Sequence, residues 1–173
     1  MAPTQHSPEP VARWQVLLIG RNPRFTLVRI AIWIVALLLV SKFLFLPVRV
    51  DGSSMLPTYK DNRVNLVNRL AYLFHEPRRG DVVAIRLAGE HMMYLKRIIA
   101  LPGETVGFSN GRAMINGVTL DEPYVKLPCA WNQPPLTLDP GEYFVVGDNR
   151  SMPQQDHRFG RAARNRIVGK TIF

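Results

Sequence analysis

The sequence predicts a mainly β fold behind one N-terminal membrane-spanning helix. After residue 46, the apolar residues occur in short segments that are separated by Gly, Asn, Asp and Pro. Short segments of this kind are typical of β-strands, and a long succession of them favours an all-β domain of partly barrel-like form. Before residue 47 the sequence contains instead one long apolar segment, and no internal repeat relates the two parts.

Turn signals delimit the predicted strands. Arg79-Gly80 precedes one strand and Leu101-Pro102-Gly103 ends another, while Ser109-Asn110-Gly111 and Asn116-Gly117 are typical of hairpins. The apolar run at 70–74 continues from a predicted strand. The predicted strands cover residues 48–50, 63–68, 81–87, 92–100, 105–108, 113–116, 118–120, 142–146 and 167–173. Residues 127–140 contain four prolines and predict a surface loop.

Residues 27–46 are the predicted membrane anchor. Residues 30–40 form an uninterrupted apolar run that is shorter than the about 20 residues a helix needs to cross a bilayer. The wider segment reaches that length, and it carries Arg29 and Lys42 about one turn from its ends, where long side chains reach the head groups. A cleaved signal peptide is the rival interpretation, but a small-x-small cleavage motif is missing after Leu46.

The charge distribution predicts the orientation of this anchor. Arginines cluster at and before the start of the span, whereas Asp51 follows it shortly. The positive-inside rule then puts the N-terminus in the bacterial cytoplasm and the rest of the chain outside. The predicted divisions are a cytoplasmic tail at 1–26 (disordered at 1–10, with a short interfacial helix at 11–20), a transmembrane anchor at 27–46 and an extracytoplasmic domain at 47–173.

Composition restricts the chemistry that the domain supports. The chain has 22 Lys and Arg against 13 Asp and Glu, a formal net charge of +9. Beside an apolar span, this excess predicts attraction to anionic membrane lipid rather than to nucleic acid. Cys129 is the only cysteine, which excludes an internal disulfide and fits neither a zinc cluster nor a Cys/His protease.

The stretch from Val50 to Thr58 reads Val-Asp-Gly-Ser-Ser-Met-Leu-Pro-Thr and opens the polar domain. Gly52 permits unusual dihedral angles, and Pro57 fixes its own φ and favours an extended conformation before it. A serine in such a rigid turn presents its hydroxyl and its backbone N–H to one point, as a nucleophile with an oxyanion donor requires. Taken alone, the same residues also fit an ordinary surface turn.

A serine nucleophile needs a base, and none of the histidines lies in a recognisable triad motif. These histidines are His6, His75, His91 and His157. Lys96 lies in the most apolar predicted strand, where burial disfavours the charged ammonium and lowers its pKa. Taken alone, a lysine near a strand end more simply points to water.

Three blocks in this order, behind a membrane segment, resemble type I signal peptidases, the membrane-bound Ser/Lys proteases. The first is the stretch around Ser54, whose Val-Asp-Gly-x-Ser-Met-x-Pro-Thr form is similar to the small, Gram-positive-type branch. The second is Tyr-Leu-Lys-Arg-Ile-Ile-Ala-Leu-Pro-Gly-Glu-Thr-Val at 94–106, and the third is Gly-Asp-Asn-Arg at 147–150. The resemblance covers residues 48–173, nearly the whole polar domain.

The resemblance implies a mostly antiparallel β fold and an endopeptidase that needs neither metal nor cofactor. Its substrates would be exported preproteins with Ala-x-Ala-type signal peptides. The resemblance assigns Ser54 as the nucleophile and Lys96 as the general base, with the backbone N–H of Ser54 in the oxyanion hole. The matched blocks imply substrate-binding or supporting roles for Val50, Gly52, Met55, Tyr94, Asp148, Asn149, Arg150, Asp156 and Arg158.

The last block departs from the family pattern Gly-Asp-Asn-Arg-x-x-Ser-x-Asp-Ser-Arg. This chain is one residue longer before Asp156 and lacks the serine that is expected to hydrogen-bond the lysine, so Ser151 or a glutamine is the expected substitute. Two alternatives therefore stay open: a specialised peptidase that matures one pilus or conjugation protein, and an inactive membrane-tethered β domain that binds a partner. A self-cleaving Ser/Lys repressor is disfavoured, because a span stands where that class needs a DNA-binding helix-turn-helix.

Overall fold

The computed structural model describes residues 23–50, 52–86, 93–127, 129–157 and 160–172. The predictions of a disordered tail at 1–10, of an interfacial helix at 11–20 and of a supporting role for Arg158 concern residues outside these ranges.

The first described element is the helix α1, Pro23–Leu44. Its segment Phe25–Leu44 is long and apolar enough to cross a membrane, and its large apolar side chains are exposed on all sides of the helix. A helix that is apolar all round requires apolar surroundings. The helix ends two residues before the predicted limit at 46, because Pro47 disfavours a helical conformation in the residue that precedes it.

The remaining described residues form two open antiparallel sheets, and the prediction of a mainly antiparallel β domain is confirmed. The larger sheet has seven strands in the order β1-β2-β11-β3-β4-β9-β10, and the smaller has four in the order β7-β6-β5-β8. Neither sheet closes into a barrel. The strands are β1 Phe45–Arg49, β2 Val64–Asn68, β3 Val82–Arg86, β4 Met93–Ala100, β5 Thr105–Ser109, β6 Arg112–Ile115, β7 Val118–Thr119, β8 Gln133–Thr137, β9 Glu142–Val146, β10 Gly160–Ala163 and β11 Ile167–Thr171.

Three local predictions were wrong. Residues 127–140 are not all loop, because they contain β8, an edge strand whose two prolines are tolerated where a backbone donor is not needed. The sequence pattern also missed β10, a short edge strand that begins with a glycine. The apolar run 70–74 forms turns rather than a strand, since the Asn68 side chain accepts a hydrogen bond from the Leu70 N–H at 2.9 Å and ends β2.

Apolar side chains cover both faces of the larger sheet, and β3 shows this most clearly. Val82 and Ala84 lie in one buried cluster with Met55 and Tyr59, whereas Val83 belongs to a second cluster on the opposite face. A strand that is buried on both faces lacks the alternation of apolar and polar residues seen in half-exposed strands. A third cluster, built around Phe108, Trp131, Leu138, Phe144 and Val146, joins the smaller sheet to the larger one.

The backbone of residues 52–58 lies directly against the end of β9 at Gly147. A Cβ atom on Gly147 would lie 2.1 Å from the Ser54 carbonyl oxygen and 2.8 Å from the His157 ring. The Asn149 N–H donates to the same Ser54 oxygen at 3.0 Å, which holds the two segments at this separation. Only a residue without a side chain fits at position 147.

We expect Gly147→Ala to lower the free energy of unfolding by about 3 kcal/mol, because the backbone of Ser54 would have to move away. Gly141→Ala is the matched control, since a Cβ there has no atom within 4 Å and meets only the cost of φ +79°, about 1 kcal/mol. Denaturant unfolding of both variants in detergent measures the difference. Equal losses would show that the contact at Gly147 is not tight.

Candidate active site

The turn that carries Ser54 is fixed at both of its ends. On one side, the Gly52 N–H donates to the Asp61 side chain at 2.8 Å, with Gly52 at φ +102°. On the other side, Met55 is buried in the same apolar cluster as Val50. Ser54 itself is half-buried, so the rigid turn that the sequence predicts is held by packing and by a side-chain acceptor.

Neighbouring serines in this turn have different surroundings. The Ser53 hydroxyl donates to the sulfur of Met152 at 3.5 Å, and the Asn149 side-chain amide donates to the Ser53 carbonyl oxygen at 3.0 Å. The Ser54 carbonyl oxygen accepts from the Asn149 backbone. Both carbonyl groups thus bind Asn149, while the hydroxyl of Ser53 is directed to Met152.

Lys96 lies in the middle of β4 and is 3% exposed. It pairs with Val83 of β3. On the other side, Arg97 pairs with Val146 of β9, the residue before Gly147. The positive charge of Lys96 acts on His157, so Lys96 lies near the ring that packs, with the Ser54 carbonyl oxygen, against Gly147.

His157 occupies the rest of that space. Its Cε1 and Nε2 atoms lie 2.8 and 2.9 Å from the position of a Gly147 Cβ, and its ring packs edge-on against Trp131 at 4.9 Å between centroids. Burial, together with the positive charges of Lys96 and Arg150, lowers the pKa of His157 to about 3. The imidazole is therefore neutral at physiological pH.

Ser151 is one of the residues expected to substitute for the missing family serine, but its hydroxyl binds a residue other than Lys96. The Ser151 hydroxyl donates to the Asn149 Oδ1 atom at 2.7 Å. His157, which lies in no recognisable triad motif, is the side chain that lies with the Ser54 carbonyl oxygen against Gly147. The sequence carries no signal for this position, since His157 meets the site only through tertiary contacts.

Asp148 is fully buried and is held by two elements. Arg97 donates to both of its carboxylate oxygens, at 2.8 and 2.7 Å, and the Thr58 hydroxyl donates to it at 2.6 Å. Burial opposes the charge on Arg97, but the hydrogen bonds to Asp148 outweigh that effect and raise the pKa of the guanidinium. A bidentate pair of this kind is strong and directional, and it ties the Ser54 turn, through Thr58, to β4.

Arg150 forms a second buried ion pair. Its guanidinium donates to the carboxylate of Glu122 and to the Gly147 carbonyl oxygen at 2.9 Å. The Tyr124 hydroxyl donates to the same Glu122 at 2.7 Å, and the Tyr124 ring stacks under Arg97 at 4.0 Å. Glu122 and Tyr124, which lie outside the recognised blocks, thereby connect the buried Arg150 with the half-buried Arg97.

Two other predicted site residues, Tyr94 and Asp156, lie in β4 and in a 3₁₀ helix. Tyr94 is half-buried in β4 and pairs with Ile85 of β3. Asp156 is exposed in the 3₁₀ helix Gln154–Asp156. The arrangement thus brings the Ser54 backbone, Gly147 and His157 together, with Lys96 near enough for its charge to act on His157.

Comparison with known proteins identifies one protein family over most of the chain. The family described as signal peptidase, peptidase S26, matches residues 24–173. Signal peptidase I of Bacillus amyloliquefaciens is 38% identical over 148 residues, which cover 79% of this chain and 76% of that protein. A probable signal peptidase I-1 of Synechocystis sp. is 32% identical over 177 residues, covering 98% and 87%.

The matched share differs among other relatives. A probable signal peptidase I-2 of Synechocystis sp. is 33% identical over 129 residues, and the match spans only 59% of its length. The crystal structure of a signal peptidase I from Enterococcus faecalis aligns with a TM-score of 0.46 at 30% identity, covering 56% of this chain and 97% of that chain. The match to the family and the identity to the Bacillus and Synechocystis relatives establish that this chain belongs to the signal peptidase family, peptidase S26.

Proposed function

We propose that this protein is a membrane-anchored endopeptidase that cleaves signal peptides from exported proteins, with Ser54 as nucleophile and Lys96 as general base. One observation carries the proposal: the charge of the buried Lys96 acts on His157, whose ring lies with the Ser54 carbonyl oxygen against Gly147. The relatives named signal peptidase I support the reaction and the class of substrate.

In this mechanism, neutral Lys96 accepts the hydroxyl proton of Ser54 as the oxygen attacks the scissile carbonyl. The lysine then gives that proton to the leaving amine, and it later activates the water that hydrolyses the acyl-enzyme. The backbone N–H of Ser54 stabilises the oxyanion. Burial of Lys96 supports this role because it disfavours the ammonium form.

The strand pattern supports binding of an extended substrate. β1 is an edge strand of the larger sheet, and β9 pairs with β4 only from Arg97 onward. Residues 93–95 of β4 are thus not paired with β9, and an extended peptide could add a strand beside them or beside Val50. Small residues at the first and third positions before the cut are the proposed specificity determinants.

We also propose the division and orientation that the sequence predicts. In that arrangement residues 1–26 are cytoplasmic, residues 27–46 are the anchor and residues 47–173 lie outside, because arginines precede the span. A specialised maturation peptidase would share the same dyad and would differ in its substrate range. An inactive binding domain would have no need of a buried lysine beside the turn of Ser54.

The nucleophile is tested by the two neighbouring serines. We expect Ser54→Ala to lower kcat by at least about 10³-fold, because it removes the attacking oxygen. Ser53→Ala should retain most of the activity, since that hydroxyl is directed to Met152. Cleavage of one model preprotein by the purified proteins in detergent measures both. Activity that survives in clean Ser54→Ala protein would end the proposed mechanism.

The base is tested by Lys96→Arg, which keeps a positive charge but cannot lose its proton at working pH. We expect cleavage of the same preprotein to be lost if Lys96 must be neutral to act. Lys60→Arg is the matched control, because Lys60 is exposed and the same change there should be silent. Substantial activity in Lys96→Arg protein would assign Lys96 to electrostatic stabilisation instead.

Substrate choice is tested on the preprotein rather than on the enzyme. Replacing Ala by Leu at the first or third position before the cut should abolish cleavage, since a large side chain would not fit a site for small residues. Replacing the residue between them, whose side chain points to the other face of an extended peptide, is the control. Equal cleavage rates for all three substrates would indicate a general protease rather than a signal peptidase.

A further inference from the structure

His157 is a buried histidine to which the proposed mechanism assigns no role. Its side chain is 2% exposed, and a polar group that is buried this deeply is expected to take part in an interaction. The last recognised block lacks the serine that the family pattern expects to hydrogen-bond the lysine. The orientation of Lys96 therefore needs another group.

The ring of His157 is fixed by packing on two sides. Its Nε2 atom lies 2.9 Å from the position of a Gly147 Cβ, and the Ser54 carbonyl oxygen lies 2.1 Å from the same position. Trp131 packs edge-on against the ring at 4.9 Å between centroids, and its indole N–H donates to the Met152 carbonyl oxygen at 3.2 Å. Close packing of this kind restricts rotation of the imidazole.

Lys96 lies close to this ring. It is 3% exposed in β4, beside Arg97, which pairs with the residue before Gly147. Burial and, after it, the positive charges of Lys96 from β4 and of Arg150 from the segment after β9 lower the pKa of His157 to about 3. The imidazole is therefore neutral at physiological pH, and one of its two nitrogens carries a lone pair that accepts a hydrogen bond.

Two other polar side chains of the last block are directed to different partners. The Arg150 guanidinium donates to the Glu122 carboxylate and to the Gly147 carbonyl oxygen. The Ser151 hydroxyl donates to Asn149. The imidazole of His157 is thus the acceptor from this block that the fold brings near Lys96.

We propose that His157 is a positioning residue for Lys96 and takes the part expected of the missing family serine. One nitrogen of the neutral imidazole accepts a hydrogen bond from the Lys96 amine and directs that amine toward the turn of Ser54. The inference rests on the proposed Ser/Lys mechanism and names the group that orients its base. His157 itself exchanges no proton with the substrate.

A neutral acceptor suits this task better than a carboxylate. A carboxylate beside Lys96 would favour the ammonium form and raise the pKa of the base, whereas a neutral ring accepts one hydrogen bond with a smaller effect on that pKa. Orientation matters because a misplacement of about 1 Å in a reacting group costs about 10²-fold in rate.

Substitutions that keep or remove the acceptor test the proposal in the full chain. His157→Asn and His157→Gln each keep a neutral acceptor near one nitrogen of the former ring, whereas His157→Phe keeps a planar ring without an acceptor. His75→Phe, the same change at an exposed histidine, is the matched control. Both kcat and KM for one preprotein are measured against pH in detergent, and thermal unfolding checks that each variant is folded.

We expect His157→Phe to lower kcat by about 10²-fold and to leave KM nearly unchanged, because the buried ring does not contact the substrate. At least one of the two amide variants should be several-fold more active than His157→Phe. The acid limb of the His157→Phe profile should move to lower pH, since the Lys96 ammonium loses an acceptor that favours it. Wild-type kinetics in His157→Phe protein, or equal losses in all three variants, would overturn the proposal.

A second measurement does not depend on activity. The imidazole nitrogen resonances of His157 are recorded by NMR in isotope-labelled protein and assigned by their loss in His157→Gln protein. In Lys96→Met protein, the resonance of the accepting nitrogen should move toward that of a free lone pair, and an unchanged resonance would overturn the proposal. Failure of the dyad itself would appear instead as peptidase activity in Lys96→Arg protein, so the two failures are distinguishable.

Discussion

The site depends on the bare backbone of Gly147. Ser54 belongs to a turn after β1, and Lys96 lies in β4, so the fold has to bring together two segments that are about forty residues apart in the sequence. The turn of Ser54 packs against the residue that follows β9, and β9 pairs with β4. A side chain at position 147 would fill the space that the Ser54 carbonyl oxygen and the His157 ring occupy, and both would be displaced.

Ion pairs of two buried residues stabilise the close approach of the Ser54 turn to Gly147. Asp148 and Arg150 lie one and three residues after Gly147. Both are fully buried, and each forms an ion pair, Asp148 with Arg97 and Arg150 with Glu122. Burying a charge costs several kcal/mol unless hydrogen bonds satisfy it, and here each pair binds further groups, Thr58 in one case and Tyr124 in the other. Loss of one partner would leave a buried charge unsatisfied beside the site, so we interpret these residues as supports for the geometry.

The sequence predicted the architecture and the centre of the candidate site, but not the groups that complete it. Turn signals and the runs of Val and Ile located most of the strands, whereas the proline-containing β8 and the short β10 were missed because edge strands need neither a pattern nor every backbone donor. The recognised blocks indicated Ser54, Lys96 and Asp148. They could not indicate Glu122, Tyr124 or the position of His157, since these residues meet the site only through tertiary contacts. The Ser151 hydroxyl, which the motif suggested as a partner for the lysine, donates to Asn149 instead.

Side chains alternate along β4, so the neighbouring residues Lys96 and Arg97 have different surroundings. Lys96 and Arg97 are adjacent, so they point to opposite faces of the sheet. Arg97 meets the carboxylate of Asp148, which raises its pKa and keeps it charged. Lys96 lies on the other face, buried beside an imidazole that is itself neutral because its pKa is lowered to about 3. Surroundings of this kind favour the amine over the ammonium form, and a general base must be in that form to accept a proton. The strand therefore separates a cation that fixes the structure from a buried lysine, which in the proposed mechanism acts as the neutral general base.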